Sequence, residues 1–185
     1  MMDELSLNIL DIAQNSIAAD AKLVEIGVTE LDAADSLVIN VRDNGKGMSG
    51  EFLKTVENPF VTTRTTRKIG LGISFLKEAA ELTGGKIEIR SAPGVGTEIS
   101  AEFTKSHIDR QPVGDITGTM VALVTLNPDI DFIFRYTVNE NEFVFTTMEV
   151  RDILGDDAKL NTPPVAAFLD DYIREHIDNL YDGKE

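Results

Sequence analysis

Cysteine is missing from all 185 residues, which excludes disulfides, thiolate-bound zinc and cysteine-ligated iron–sulfur clusters. Also missing is any apolar stretch near the ~20 residues needed to span a bilayer. The start, Met1-Met2-Asp3-Glu4-Leu5, has neither the basic residues nor the apolar run of a signal peptide, so a cytoplasmic location is expected. Positive charge is scarce: 17 Lys and Arg against 32 Asp and Glu leave a net charge of −15. That balance argues against nucleic acid and anionic membranes as partners, because basic surface supplies much of the affinity for both. No internal repeat and no low-complexity tract appears. What is there is a chain of ordinary hydrophobic content, 42 %, long enough for one good core or for one core and a small appendage.

Periodicity divides the chain into elements. Leu5 to Ala19 reads as a helix with Leu5, Ile9, Ile12, Ala13, Ser16 and Ile17 on one face, and with Asn8, Asp11 and Asn15 on another. Leu23 to Glu30 and Leu37 to Val41 read as strands, and Glu51 to Glu57 as a short helix broken by Asn58-Pro59. Leu71 to Leu82 is a helix stopped by Gly84-Gly85, and Lys86 to Arg90 with Thr97 to Phe103 makes a hairpin. The fold class expected is α+β, a two-layer sandwich with helices on one face of a mixed or antiparallel sheet. Residues 1–105 are expected to form the main domain, 106–118 a polar linker, and 119–185 a β-β-β-α extension. Its strands are placed at Thr119–Leu126, Asp131–Val138 and Glu142–Met148, followed by a helix from Pro163 to Leu180. The apolar stripe of that helix is assigned to core packing, with a homodimer seam as the second reading.

Four short motifs carry the chemistry. Asp43, in Asp43-Asn44-Gly45-Lys46-Gly47, is an acceptor-only carboxylate, suited to the exocyclic amine of adenine and set against the carbonyl of guanine. Gly45 and Gly47 let the backbone turn sharply and leave room for a flat ring; the plain alternative is a hairpin turn. Gly70-Leu71-Gly72 opens a helix, where free N–H groups and a partial positive charge favour phosphate; the alternative is a loop hinge. Just upstream, Arg64, Arg67 and Lys68 form a small cationic island without an acid among them, either a phosphate contact or a solvated basic loop. Asn15 offers a neutral oxygen to Mg²⁺, unless it satisfies backbone instead. Asp11, one turn earlier, is placed to act as general base or is a plain surface acid. The fourth motif, Gly94-Val95-Gly96-Thr97, is a hairpin turn that gains meaning from following the other three.

In this order the motifs resemble those of the Bergerat-fold ATPases, the superfamily of gyrase, the heat-shock chaperone, histidine kinases and the mismatch-repair ATPase. The resemblance covers roughly Leu5 to Phe103. LDIAQNSIAADA is similar to the N box, which implies Mg²⁺ on Asn15. VRDNGKGM is similar to the first glycine box, which implies adenine on Asp43. NPFVTTR resembles the approach to the ATP lid of histidine kinases, while GLGIS and GVGTEI resemble the later glycine boxes. These imply phosphate contact at Gly70, Leu71 and Gly72 and place Thr97 near the base. ATP and Mg²⁺ are the implied cofactors.

Three departures follow. Asp11 stands where the gyrase and mismatch-repair branches carry a Glu that activates water. The phosphoacceptor domain of a sensor kinase is not seen upstream. Ser106-His107-Ile108-Asp109-Arg110-Gln111-Pro112 echoes a phosphoacceptor box but lies downstream, so His107 reads as a linker residue rather than a phosphorylation site. The strand that usually precedes the N-box helix is also missing, and Met120 to Leu126 is expected to cover the sheet edge left bare. The function expected is an ATP-binding regulator that phosphorylates a protein partner, as anti-sigma-factor serine kinases of the superfamily do, with the partner engaged through the C-terminal extension. A slow ATPase cycle with Asp11 as base, and a non-catalytic nucleotide-binding scaffold, are the alternatives.

Overall fold

The computed structural model describes residues 4–57, 71–155 and 159–182. Its elements are α1 (Leu5–Ala18), β1 (Leu23–Leu31), β2 (Ser36–Asp43), α2 (Gly50–Glu57), α3 (Leu71–Leu82), β3 (Lys86–Ala92), β4 (Gly96–Thr104), α4 (Ile116–Leu126), β5 (Asp131–Val138), β6 (Asn141–Thr146), α5 (Thr147–Leu154) and α6 (Pro163–Asp182). One six-stranded sheet runs β3-β4-β2-β1-β5-β6. Its neighbours are antiparallel except β1 and β5, which are parallel, so the sheet is mixed.

Alternation along the strands sets the layers. In β1, Val24, Ile26, Val28 and Glu30 are buried, and in β2 Leu37, Ile39, Val41 and Asp43 are buried, while the residues between them face away. The buried rows meet α1, α3, α4 and α6, whose apolar faces complete one continuous core. Phe103, Phe132, Phe134, Ile9 and Met120 all belong to it, so residues before and after 106–118 share that core. The linker itself closes a helix end: Pro112 and Val113 carbonyls accept from the Leu5 and Ser6 amides, which have no partner inside α1.

The bare edge of β1 is covered by β5, paired from Leu23↔Asp131 to Glu30↔Val138. A C-terminal strand does fill the place, but it is not the expected one. Met120 to Leu126 lies in α4, so the expected β-β-β-α order after residue 118 is corrected to α-β-β-α-α. Thr119–Leu126 is apolar on nearly every side, and such a run has the same look whether it is a buried strand or a buried helix. Asp115 settles it, since its carboxylate caps the helix by accepting from the Gly118 amide at 3.0 Å. The strand expected over Glu142–Met148 ends at Thr146, which caps α5 by accepting from the Glu149 amide at 3.1 Å. Thr146-Thr147-Met148-Glu149 is a Thr-x-x-Glu start that the alternating pattern of β6 masked.

A buried polar cluster bolts α6 to the sheet. Glu30, 7 % exposed, accepts from the phenols of Tyr136 and Tyr181, and its other oxygen lies 2.8 Å from the Lys105 ammonium. Burial pushes the Glu30 carboxyl up, but the bonds from Lys105, Tyr181 and Tyr136 together outweigh it and hold the group below its ordinary value. No helix among the described residues is long and apolar enough to cross a membrane.

Candidate functional site

β2 ends at Asp43 because the sheet ladder runs out there, opposite Val24 on one side and Thr97 on the other. The carboxylate is buried and held by three donors from three segments. Ser16 of α1 donates its hydroxyl to Oδ2 at 2.6 Å, and the amides of Gly45 and Thr97 donate to Oδ1 at 2.9 and 3.3 Å. A carboxylate offers about four lone-pair directions, so one on Oδ2 is left for a further donor.

The first and fourth sequence motifs are one structure. Gly94 donates its amide to the Lys46 carbonyl at 2.8 Å, and Lys46 donates its own to Ala19 at 2.9 Å. Gly47 sits at φ +65° and Gly96 at φ +124°, and a β-carbon on either would overlap a carbonyl oxygen, of Ala92 and of Asp43 respectively. Ser91 completes the lock: its Oγ accepts from the Met48 amide at 2.8 Å and lies 2.9 Å from both the Gly96 carbonyl and Thr97 Oγ1. Asn44 turns the other way and accepts from the Lys22 and Leu23 amides, tying the loop to the start of β1.

Asp11 and Asn15 lie one turn apart on α1 and both are half-buried. Asp11 Oδ2 accepts from the Gly72 amide at 2.9 Å, so its carboxylate caps the first turn of α3 from a neighbouring helix. That places a negative charge at the helix start where phosphate contact is expected. Leu71 opens α3 beside it. Among the described residues the Asn15 amide has its Nδ2 buried without a hydrogen-bond partner. An orphaned donor next to a helix start fits a phosphate oxygen or a metal-bound water, and half a turn of the amide would offer its oxygen to a metal. Among the described residues no group of three His, Cys, Asp or Glu is set to hold a metal, so a Mg²⁺ here would take most of its ligands from phosphate and water. Arg64, Arg67, Lys68 and Gly70 lie outside the described residues.

The structure thus gathers Asp43, Gly45, Gly47 and Thr97 tightly, and brings Asp11 to Gly72. Two residues that hold the Asp43–Gly47 loop in place escaped sequence reasoning. Ser16 looked like part of an apolar helix face, and its only sequence signal is a hydroxyl at a core position directly after Asn15. Ser91 carried none. His107 lies past Thr104, the opposite end of β4 from Thr97, and seven residues of strand put it roughly 20 Å or more from Asp43. Its Nδ1 accepts from the Asp109 amide at 3.2 Å, a turn contact that suits a linker residue.

Comparison with known proteins reaches the same fold. The sensor histidine kinase ZraS of Escherichia coli O157:H7 is 28 % identical over 112 residues, covering 60 % of this chain and 24 % of that protein. An uncharacterized sensor-like histidine kinase of Rhizobium meliloti is 41 % identical over 81 residues, covering 40 % of this chain and 15 % of that protein. The chain therefore spans only a minor part of either relative's length. Among solved structures, the N-terminal domain of a DNA repair protein matches with TM-score 0.58 at 15 % identity, over 80 % of this chain and 53 % of that one. The MutL ATPase domain of Aquifex aeolicus complexed with ADP matches with TM-score 0.51 at 14 % identity, over 83 % and 70 %. At such identities the two structures speak for the fold alone. The family model described as "Histidine kinase-, DNA gyrase B-, and HSP90-like ATPase" matches residues 1–107, more than half of the chain, and the protein belongs to that family.

Proposed function

We propose that the protein binds ATP with Mg²⁺ between α1, the Asp43–Gly47 loop and the start of α3, and passes the terminal phosphate to a hydroxyl of a protein partner. The observation that carries this reading is the Asp43 carboxylate, fixed by three donors with one acceptor direction to spare. Adenine supplies a donor amine for that direction, whereas guanine would set its carbonyl against the carboxylate, at a cost of about 1–3 kcal/mol. Thr97 stands beside the base, and Asn15 turns its buried amide toward phosphate and metal. When bound, Mg²⁺ shields phosphate charge.

Asp11 then exchanges partners. Its carboxylate leaves the Gly72 amide to phosphate oxygen and takes the proton of the attacking hydroxyl, as the oxygen of that hydroxyl forms a bond to phosphorus and the bond to ADP breaks. Arg64 and Lys68 supply positive charge for the transferred group. A water in place of the partner hydroxyl gives slow ATP hydrolysis with the same base, which is the second reading.

Calorimetric titration with ATP and GTP, followed by incubation with γ-labelled ATP, Mg²⁺ and host extract, tests the assignment. ATP should bind about tenfold to a hundredfold more tightly than GTP; Asp43→Asn should weaken ATP binding severely, while Asp11→Asn keeps binding and loses label transfer. Equal affinity for the two nucleotides, or undiminished binding by Asp43→Asn, would sink the pocket. Free phosphate without labelled protein would favour hydrolysis over transfer.

A further inference from the structure

β1 leads away from Asp43 to a second concavity. Glu30 lies six residues past Val24, the partner of Asp43, so this place is roughly 20 Å from the first along the strand. We infer that the open cavity of about 460 Å³ lined by the start of α4, the last turns of α6 and the end of β1 is a binding site for a small zwitterion of the amino-acid class.

Its size lies in the range of small-molecule pockets, and its charge decides the ligand. Two cations, Arg110 and Arg174, and three acids, Glu30, Asp115 and Asp178, line it. A nucleotide or other polyanion would meet three carboxylates; Arg174 is already paired with Asp170 at 3.0 Å, so a lone cation would still meet the Arg110 guanidinium. Only a ligand carrying both charges is matched. The cationic end is built. Arg110 donates Nε to the Lys105 carbonyl and Nη1 to the Gln111 carbonyl, so its guanidinium is fixed by backbone, and no carboxylate among the described residues pairs with it. That leaves N–H groups for a ligand carboxylate.

The acid end is sorted by what is already occupied. Glu30 is satisfied by two phenols and Lys105, and forms a floor rather than a contact. Asp115 keeps one oxygen on the Gly118 amide and stands 3.8 Å from Arg174 across the rim. Asp178, exposed on α6 one turn beyond Arg174 and acting on that guanidinium only through space, is the acid left for a ligand ammonium. Ile116 and Ile177 supply apolar wall for a side chain.

The site does not depend on the nucleotide reading. The full-length protein is screened with the free proteinogenic amino acids and glycylglycine at millimolar concentration, by amide NMR, and each hit is titrated calorimetrically. At least one zwitterion should bind one-to-one and shift the amides of Gly114, Asp115 and Thr117. Asp178→Asn and Arg110→Gln should each weaken it about tenfold or more. The amine lacking the carboxylate and the N-acetylated form of the same hit should both fail. Asp178→Asn lies on an exposed face and keeps the test valid if Arg110→Gln perturbs folding. No binding by any zwitterion, equal binding by either half-ligand, or unchanged affinity in Asp178→Asn would overturn the assignment. ATP titration of Asp178→Asn should be unchanged, which separates this site from the first.

Discussion

Ser16→Ala is the sharpest test of how Asp43 is held. Ser16 is 4 % exposed and Asp43 9 %, so their bond is screened from water. The Ser16 hydroxyl has one proton and two acceptors in reach, Asp43 Oδ2 at 2.6 Å and the Ile12 carbonyl at 3.3 Å. The shorter bond to the charged oxygen takes it. A hydrogen bond to a charged group contributes roughly 1.5–3 kcal/mol, and alanine returns about 0.5 kcal/mol of helix propensity. The net loss is then about 1–2.5 kcal/mol, or a fall in Tm of roughly 2–10 °C for a chain of this length. Because Oδ2 is also the oxygen left to face adenine, ATP affinity should drop about tenfold. Thermal melts followed by circular dichroism and calorimetric titration with ATP measure the two effects, and a double-mutant cycle with Asp43→Asn should show coupling of at least about 1 kcal/mol. An unchanged Tm with unchanged affinity, or strict additivity in the cycle, would refute the account.

Gly47→Ala places a β-carbon on the Ala92 carbonyl at a backbone φ of +65°, and should cost about 2–4 kcal/mol in chemical denaturation; a variant as stable as the parent would mean the loop and hairpin are not locked. A chain ended after Lys105 strips β5 from β1 and removes Phe132, Phe134 and Met120 from the core, so it should aggregate in size-exclusion chromatography with light scattering. A soluble monomer of full stability would contradict this. The Glu30 cluster predicts both pH limbs. Burial, with Glu30 beside it, pushes the Tyr181 hydroxyl up to about 12, and burial together with Tyr181 and Glu30 pushes Tyr136 up further. Groups raised on folding stabilise below their unfolded values near pH 10, and that stability should drain away as pH rises toward 12. Glu30 is lowered, so its share holds above its unfolded value and is lost as acid protonates it below that. Tyr181→Phe should flatten the alkaline limb of a pH–Tm series, and an unaltered limb would dismiss the cluster as its source.

Legibility in the sequence followed environment. α3 lies at Leu71–Leu82 as read, because Ile73, Leu76, Ala79 and Ala80 recur at helical spacing and Gly84-Gly85 stops the chain. The β3–β4 hairpin and β5 were visible because one face of each strand is wet. α4 failed for a different reason: Met120, Leu123 and Val124 are buried against α1, α6 and the sheet, but the outward face is apolar too, with Val121 and Ala122 half-buried and Leu126 exposed, so no row of polar residues betrays the helical period. Within the site, motif residues were legible because glycine and aspartate at turns are unusual locally. Ser16 was not, since its partner lies 27 residues away.

The sequence by itself determined that this is an acidic, cysteine-free α+β protein, and its ordered motifs pointed to the ATPase family that residues 1–107 match. Those properties are written in local patterns: period, charge, and glycine where backbones must turn. Only the tertiary structure decided that β5 rather than Met120–Leu126 closes the β1 edge, that Asp11 caps α3, and that Asp43 is steadied by Ser16. Each of these joins segments far apart in the chain, and which distant groups meet is settled by packing one core rather than by any short stretch of residues.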